Sequence, residues 1–119
     1  MSALGAQRGY SDLRRMYLDY VLEQLGELGP VTSRAMFGGH GLYLGDQFFA
    51  IVHRDRLYFK TDEESQGDYE TRGSEPFRPN ARQTLRTYWE VPADVVENPE
   101  AAVDWARDAV ACAAGKATR

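Results

Sequence analysis

Residues 36–49 read MFGGHGLYLGDQFF, with Gly38, Gly39 and Gly41 crowded around His40 and apolar residues closing both ends. A phosphate-binding loop places its glycines between a strand and a helix N-terminus. Here both flanks read as strands. Before the glycines, VTSRAMF (31–37) alternates, with Val31, Ser33, Ala35 and Phe37 on one face and Thr32, Arg34 and Met36 on the other. After them, HGLYL (40–44) runs into Gly45-Asp46, a two-residue hairpin turn. The spacing G-G-x-G matches neither phosphate fingerprint, and no lysine follows. The cluster therefore reads as backbone geometry: positive φ, a bulge, or close approach of another segment. The alternative is a ligand groove beside the bend, lined by His40, Tyr43 and Arg34.

Working outward, QFFAIVH (47–53) is apolar on both faces. That pattern predicts a central strand covered on both sides, or one with a face in an interface. Arg54-Asp55 makes the next tight turn, and RLYFK (56–60) pairs back, giving an antiparallel meander. Upstream, residues 1–9 read as a tail. Ser11 is placed to cap a helix carrying Leu13, Met16, Tyr17, Tyr20, Val21 and Leu28, which Gly29-Pro30 ends. Downstream, T-D-E-E from Thr61 to Glu64 predicts a capping box and a helix to Tyr69 or Glu70, stopping near Gly73. RGSEPFRPNARQ (72–83), with Pro76 and Pro79, reads as a loop, and TLRTYWEV (84–91) as a strand. On that strand Leu85, Thr87, Trp89 and Val91 share one side, and Arg86, Tyr88 and Glu90 the other. Asn98-Pro99-Glu100 starts a final helix whose stripe is Ala102, Trp105, Ala106, Ala109, Val110 and Ala113.

The order is α-β-β-β-β-α-β-α. This predicts an α+β fold in which an antiparallel sheet of about five strands is flanked by helices. One domain is expected over 10–115, between the tail and a frayed 116–119.

The 119 residues carry a net charge of −4, which argues against nucleic-acid binding by bulk electrostatics. The single cysteine, Cys112, excludes an intrachain disulfide and suits a reducing compartment. Neither a signal peptide nor a run of about 20 apolar residues is present, so a soluble, cytoplasmic protein without a membrane partner is expected.

No catalytic constellation stands out. His40 and His53 could pair across the sheet, but zinc needs three or four ligands and no nearby cysteine supplies one, so no metal or other cofactor is expected. Cys112 sits among alanines and reads as buried and inert. The acidic residues gather at helix starts and on solvated faces. The arginines offer two readings. Arg78, Arg82 and Arg86, with Tyr88 and Trp89, form a basic and aromatic mix that nucleic-acid-binding sheets can use. Alternatively, Arg34, Arg54, Arg56, Arg78, Arg82 and Arg86 pair with Asp55, Glu75 and Glu90 on a solvated face.

The ordered series R-A-M-F-G-G-H-G-L-Y, D-R-L-Y-F-K-T-D-E, G-S-E-P-F, T-Y-W-E-V-P, and N-P-E followed by W-A-R resembles the N-terminal domain of the TfoX/Sxy family, over about residues 11–113. The resemblance implies an α+β fold like that of secretion chaperones, no enzymatic activity, and a protein-interaction role in transcription-related regulation. Its partners would be the transcription machinery or a regulator. The apolar second sheet face, which helices or a twin subunit would cover, leaves the chain a monomer or homodimer. It marks Arg34, Met36, Phe37, Gly38, Gly39, Gly41 and Tyr43 as motif and candidate contact residues. Two departures stand out. R-P-N-A-R-Q-T replaces a stretch that in relatives makes a hairpin-like turn, and the second, C-terminal domain of the competence regulators has no counterpart within these 119 residues.

Overall fold

The structure, a computed structural model, describes residues 15–36 and 38–116. The expected tail, the Ser11 cap and Phe37 lie outside the described residues. Helix α1 occupies 15–24 and gives way to a 3-10 turn, Gly26–Leu28. Four strands follow: β1 (Val31–Met36), β2 (Gly39–Leu44), β3 (Gln47–His53) and β4 (Arg56–Lys60). Then come α2 (Glu63–Thr71), β5 (Pro76–Asn80), β6 (Gln83–Glu90), α3 (Ala93–Glu97) and α4 (Pro99–Ala113). The sheet is antiparallel and six-stranded, in the order β1-β2-β3-β4-β6-β5. The fold class is the expected α+β, with one strand and one short helix more than the sequence reading found.

The extra strand is the stretch with two prolines. A proline cannot donate to a ladder, but an edge strand has one side that needs no donor. β5 is that edge, and it turns into β6 at Ala81-Arg82. The expected loop is therefore a hairpin after all. The capping box also moves by one residue. Asp62, not Thr61, caps α2: its carboxylate accepts from Ser65 N at 2.8 Å, and Ser65 Oγ accepts from Asp62 N at 3.0 Å. Thr61 is buried and donates to the Thr87 carbonyl instead. Asn98 caps α4 as predicted, accepting from the backbone of Glu100 and Ala101.

The helices cover one face of the sheet. Leu18, Val21 and Leu25 from α1, Val95 and Val96 from α3, and Ala102, Ala106 and Ala109 from α4 meet Leu42, Phe49, Ala50, Val52, Leu57 and Phe59. The alanines keep α4 free of bulk where it lies on the sheet. Burying each large apolar side chain here contributes about 1.5–3 kcal/mol.

A β-bulge explains why β3 is apolar on both faces. Leu42 pairs with Ala50 but Tyr43 pairs with Phe48, so Phe49 is the extra residue. The alternation slips at that point. Phe49 joins Ala50 and Val52 on the helix side, while Phe48 joins Ile51 on the other.

That other face, free of helices among the described residues, is sealed by the sheet itself. Ile51, Tyr58, Phe77 and Tyr88 are buried there, with Phe48 and Leu85 against them. In a flat sheet β5 would lie about 14 Å from β3, at about 4.8 Å per strand. Yet the Phe77 ring centroid is 4.7 Å from Tyr58 and 5.1 Å from His53. The β5–β6 arm must curl back over the sheet. Its ladder is irregular as a curl requires, with Pro76 opposite Trp89 but Phe77 already opposite Leu85. The same slip puts Leu85 and Tyr88 on one face, against the regular alternation expected for 84–91.

Candidate functional site

The motif residues Arg34, Met36, Gly39, Gly41 and Tyr43 fall on one corner of the helix-free face. Directly opposed residues in an antiparallel pair point the same way. Arg34 opposes Gly41, Gly41 opposes Ile51, and Ile51 opposes Tyr58, which fixes the side. Gly38 is exposed at the turn into β2 with φ 76°. Gly39 needs no positive φ; a Cβ there would stand 2.2 Å from the Val52 carbonyl oxygen. At Gly41 a Cβ would meet the Met36 Sδ at 2.8 Å and Phe48 Cε1 at 2.9 Å. The space beside the bend is thus filled by β3 backbone, the Met36 thioether and the Phe48 ring.

The groove considered from sequence does not form there. His40 opposes Ala35 and Val52 and so lies on the helix side, away from Arg34 and Tyr43. His53 sits on the helix-free face against Phe77. The two histidines are on opposite faces and cannot share a ligand. Among the described residues no group of three His, Cys, Asp or Glu side chains is placed to hold a metal.

A row of rings crosses this face from the β1 edge. The Arg34 Cζ lies 4.9 Å from the Tyr43 centroid, Tyr43 stacks on Phe48 at 5.1 Å and 21°, and Phe48 meets Tyr88 at 5.1 Å. The Lys60 Nζ closes the row 5.3 Å from the Tyr88 centroid. Each cation–ring contact at such a site is worth about 0.5–1 kcal/mol. The Tyr88 hydroxyl donates to the Phe48 carbonyl at 2.9 Å, and burial, followed by Tyr43, raises its pKa. At the edge, Thr32, Ser33, Arg34 and Ala35 are all exposed. β1 contains no proline, so unlike β5 it keeps every backbone donor.

The second candidate cluster is dispersed. Arg78, Arg82 and Arg86 are exposed. Tyr88 is buried, and Trp89 packs at the margin of the helix-side core with its Nε1 donating to the Arg86 carbonyl at 2.8 Å. Tyr88 therefore offers no free stacking face beside those arginines, and the Trp89 indole N–H is already engaged. The expected pairing of the arginines with acids holds only for Arg56, bonded to Glu90 at 3.1 Å. Among the described residues Arg34, Arg54, Arg78, Arg82 and Arg86 make no ion pair.

Cys112 is buried on α4, 3.9 Å from Ser65 Oγ, and burial pushes its thiol up to about 11. Among the described residues no basic side chain is placed to activate it. The sequence reading missed a convergence of acids: Asp68, Asp104 and Asp108 line one notch between α2 and α4. The i, i+4 spacing of Asp104 and Asp108 was the only local signal, and nothing in the sequence places Asp68 opposite them. No helix among the described residues is long and apolar enough to cross a membrane.

These features define a small α+β domain with one self-sealed aromatic sheet face, an open β1 edge and a motif-built corner. The TfoX N-terminal domain family matches residues 23–113, and the chain belongs to that family. The chain is also 32% identical over 77 residues to a protein named DNA transformation protein TfoX1 from Aliivibrio fischeri. That match covers 65% of this chain and 35% of the relative.

Proposed function

We propose that this chain is a non-catalytic, cytoplasmic protein-contact module with a regulatory role in transcription, in the setting of DNA transformation that its relative's name describes. The observation that carries this reading is the corner where Arg34, lying on Tyr43, meets the exposed β1 edge. An edge strand with all its donors is a template for an extended partner segment. A guanidinium held on a ring is ready to meet a carboxylate. The partner class is a protein, a regulator or a component of the transcription machinery. The net charge of −4 and the occupied Tyr88 and Trp89 weigh against direct nucleic-acid binding.

Affinity purification from the native cell tests the proposal. Wild-type protein should recover a transcription-associated protein that Arg34→Glu loses and Arg78→Glu keeps. Recovery of no macromolecular partner, together with turnover of a metabolite by the purified protein, would sink it. Binding to DNA at low salt that fades steeply as salt rises would favour nucleic acid instead.

A further inference from the structure

Among the described strands the sheet has two edges, and they are not alike. β5 closes one with Pro76 and Pro79, which have no N–H to offer. β1 closes the other with Thr32, Ser33, Arg34 and Ala35 all exposed. Its pairing with β2 fixes which of these residues turn outward. Met36 and Gly39 are partners with only residues 37 and 38 between them. A ladder closes across so short a turn only where the last pair exchanges both its hydrogen bonds. Hydrogen-bonded pairs alternate with non-bonded ones, and the β1–β2 register has no shift, so Arg34–Gly41 and Thr32–Tyr43 are also bonded pairs. Ser33 and Ala35 therefore aim both N–H and C=O away from β2, at the open edge.

The side chains set what can lie there. A strand added antiparallel would bond to Ser33 and Ala35. Its residue opposite Arg34 would then form a non-bonded pair, the closer kind, with Cα atoms about 4.5 Å apart. Arg34 makes no ion pair among the described residues and lies on the Tyr43 ring. An acid is the residue that answers it. The neighbours of that acid point to the helix side, beside Ser33 and Ala35, whose small side chains leave room for branched ones. A second copy of β1 does not meet these terms. VTSRAM contains no acid, and in the register that bonds Ser33 to Ala35 of a twin strand, Arg34 faces Arg34.

We propose that the β1 edge takes up an antiparallel strand of a partner protein that carries an aspartate or glutamate opposite Arg34, between two branched apolar residues. This deepens the protein-contact reading of the same corner and rests on it. Main-chain hydrogen bonds at Ser33 and Ala35 supply affinity, and Arg34 selects the sequence. The added strand extends the six-stranded sheet by one and leaves both cores as they are.

The test is an NMR titration of the full chain with the capped peptide Thr-Val-Glu-Val-Thr, and with the same peptide carrying Gln or Lys in place of Glu. Saturable shifts along β1 are expected, with slowed amide exchange at Ser33 and Ala35. The Gln peptide should bind about threefold more weakly, as loss of an exposed ion pair implies. Arg34→Glu should reverse the order, preferring the Lys peptide to the Glu peptide. Ala35→Pro removes one outward donor and none that bonds β2, so it should abolish binding while the unfolding midpoint stays near that of wild type. Ser33→Pro, at the other outward position, serves where Ala35→Pro fails to fold. Absence of saturable shifts with any peptide, an unchanged preference in Arg34→Glu, or undiminished binding in the proline variant would overturn the inference. Capture from cells of a partner that Arg34→Glu loses and Ala35→Pro keeps would also overturn strand addition, yet leave the protein-contact reading standing. Recovery of no partner by wild type would sink that reading and this inference with it.

Discussion

Gly38 and Gly39 are neighbours with different reasons to be glycine. Gly38 has φ 76° and open space around its Cα, so alanine there meets only the left-handed backbone penalty, about 1–2 kcal/mol. Gly39 has ordinary φ, but a Cβ would collide with the Val52 carbonyl, which is backbone and cannot swing aside. Gly39→Ala must therefore move β2 away from β3. It should cost about 1–3 kcal/mol, as overpacking does, and also weaken the hydrogen-exchange protection of β2 and β3. Gly38→Ala should leave that protection intact; chemical denaturation with hydrogen exchange separates the two. Cys112 gives a second prediction at this scale. Its thiol is pushed up from 9.0 to about 11 by burial, with smaller opposing and reinforcing effects from Ser65 and Asp62. Between those values the unfolded chain has lost the proton and the folded one keeps it. This contribution to stability is therefore full at neutral pH and falls away as pH rises to about 11. At pH 8 a disulfide reagent should label native Cys112 far more slowly than the denatured chain; equal rates would mean that the thiol is accessible.

At the scale of the element, two helix caps of similar geometry should differ in their response to acid. The Asp62 carboxyl is held below the usual value, first by the backbone N–H of Ser65, against an opposing effect of burial. A depressed carboxyl stabilises the fold above its unfolded value of about 3.9, and that stability is lost as pH falls through the folded value. Asp62→Ala should therefore cost about 1 kcal/mol at neutral pH, with a difference from wild type that shrinks on acidification below about pH 4. Asn98 caps α4 without an ionisable group. Asn98→Ala should cost a similar amount at both pH values. Denaturant midpoints of the two variants at neutral and acid pH provide the comparison. The β3–β4 turn offers a gain instead of a loss. Arg54 and Asp55 both have positive φ, 51° and 60°, where a hairpin favours Asn-Gly. Replacing them as Arg54→Asn/Asp55→Gly should raise stability by about 1 kcal/mol and shift the thermal midpoint upward.

At the scale of the whole molecule, Phe77 joins the parts. It sits on the edge strand, is fully buried, and closes the helix-free face by reaching Tyr58 and His53. Phe77→Ala should cost about 3–5 kcal/mol and open the curl, exposing Ile51 and Tyr58 to solvent while the helix-side core persists. Tyrosine near-ultraviolet dichroism and dye binding would report that change. Loss of the helix-side packing at the same denaturant concentration would show instead that the two cores are one cooperative unit.

Much of this was legible in the residues. Period-2 alternation and two-residue turns identify β1 to β4, and Asn98-Pro99 identifies α4, because these signals depend on contacts within a few residues. The ordered motifs identify the family for the same reason: they are strings. Local patterning alone misplaced what depends on distant partners. β5 is a strand because β6 pairs with it at an edge where proline is tolerated, and Trp89 and Leu85 lie far from Pro76 and Phe77 in a loop-like composition. Thr61 looks like a cap but is drawn to the Thr87 carbonyl, leaving Asp62 to cap α2. The β3 bulge converts an apparently two-sided apolar strand into one that feeds two separate cores. The notch at Tyr69 exists only because α2 docks on α4, which brings Asp68 to Asp104 and Asp108. By itself, then, the sequence determined the local elements, the fold class and the family, since neighbouring residues encode them. Only the tertiary structure decided which faces those elements present and which side chains meet, because bulges, curl and helix docking are settled by packing between segments that are remote in the chain.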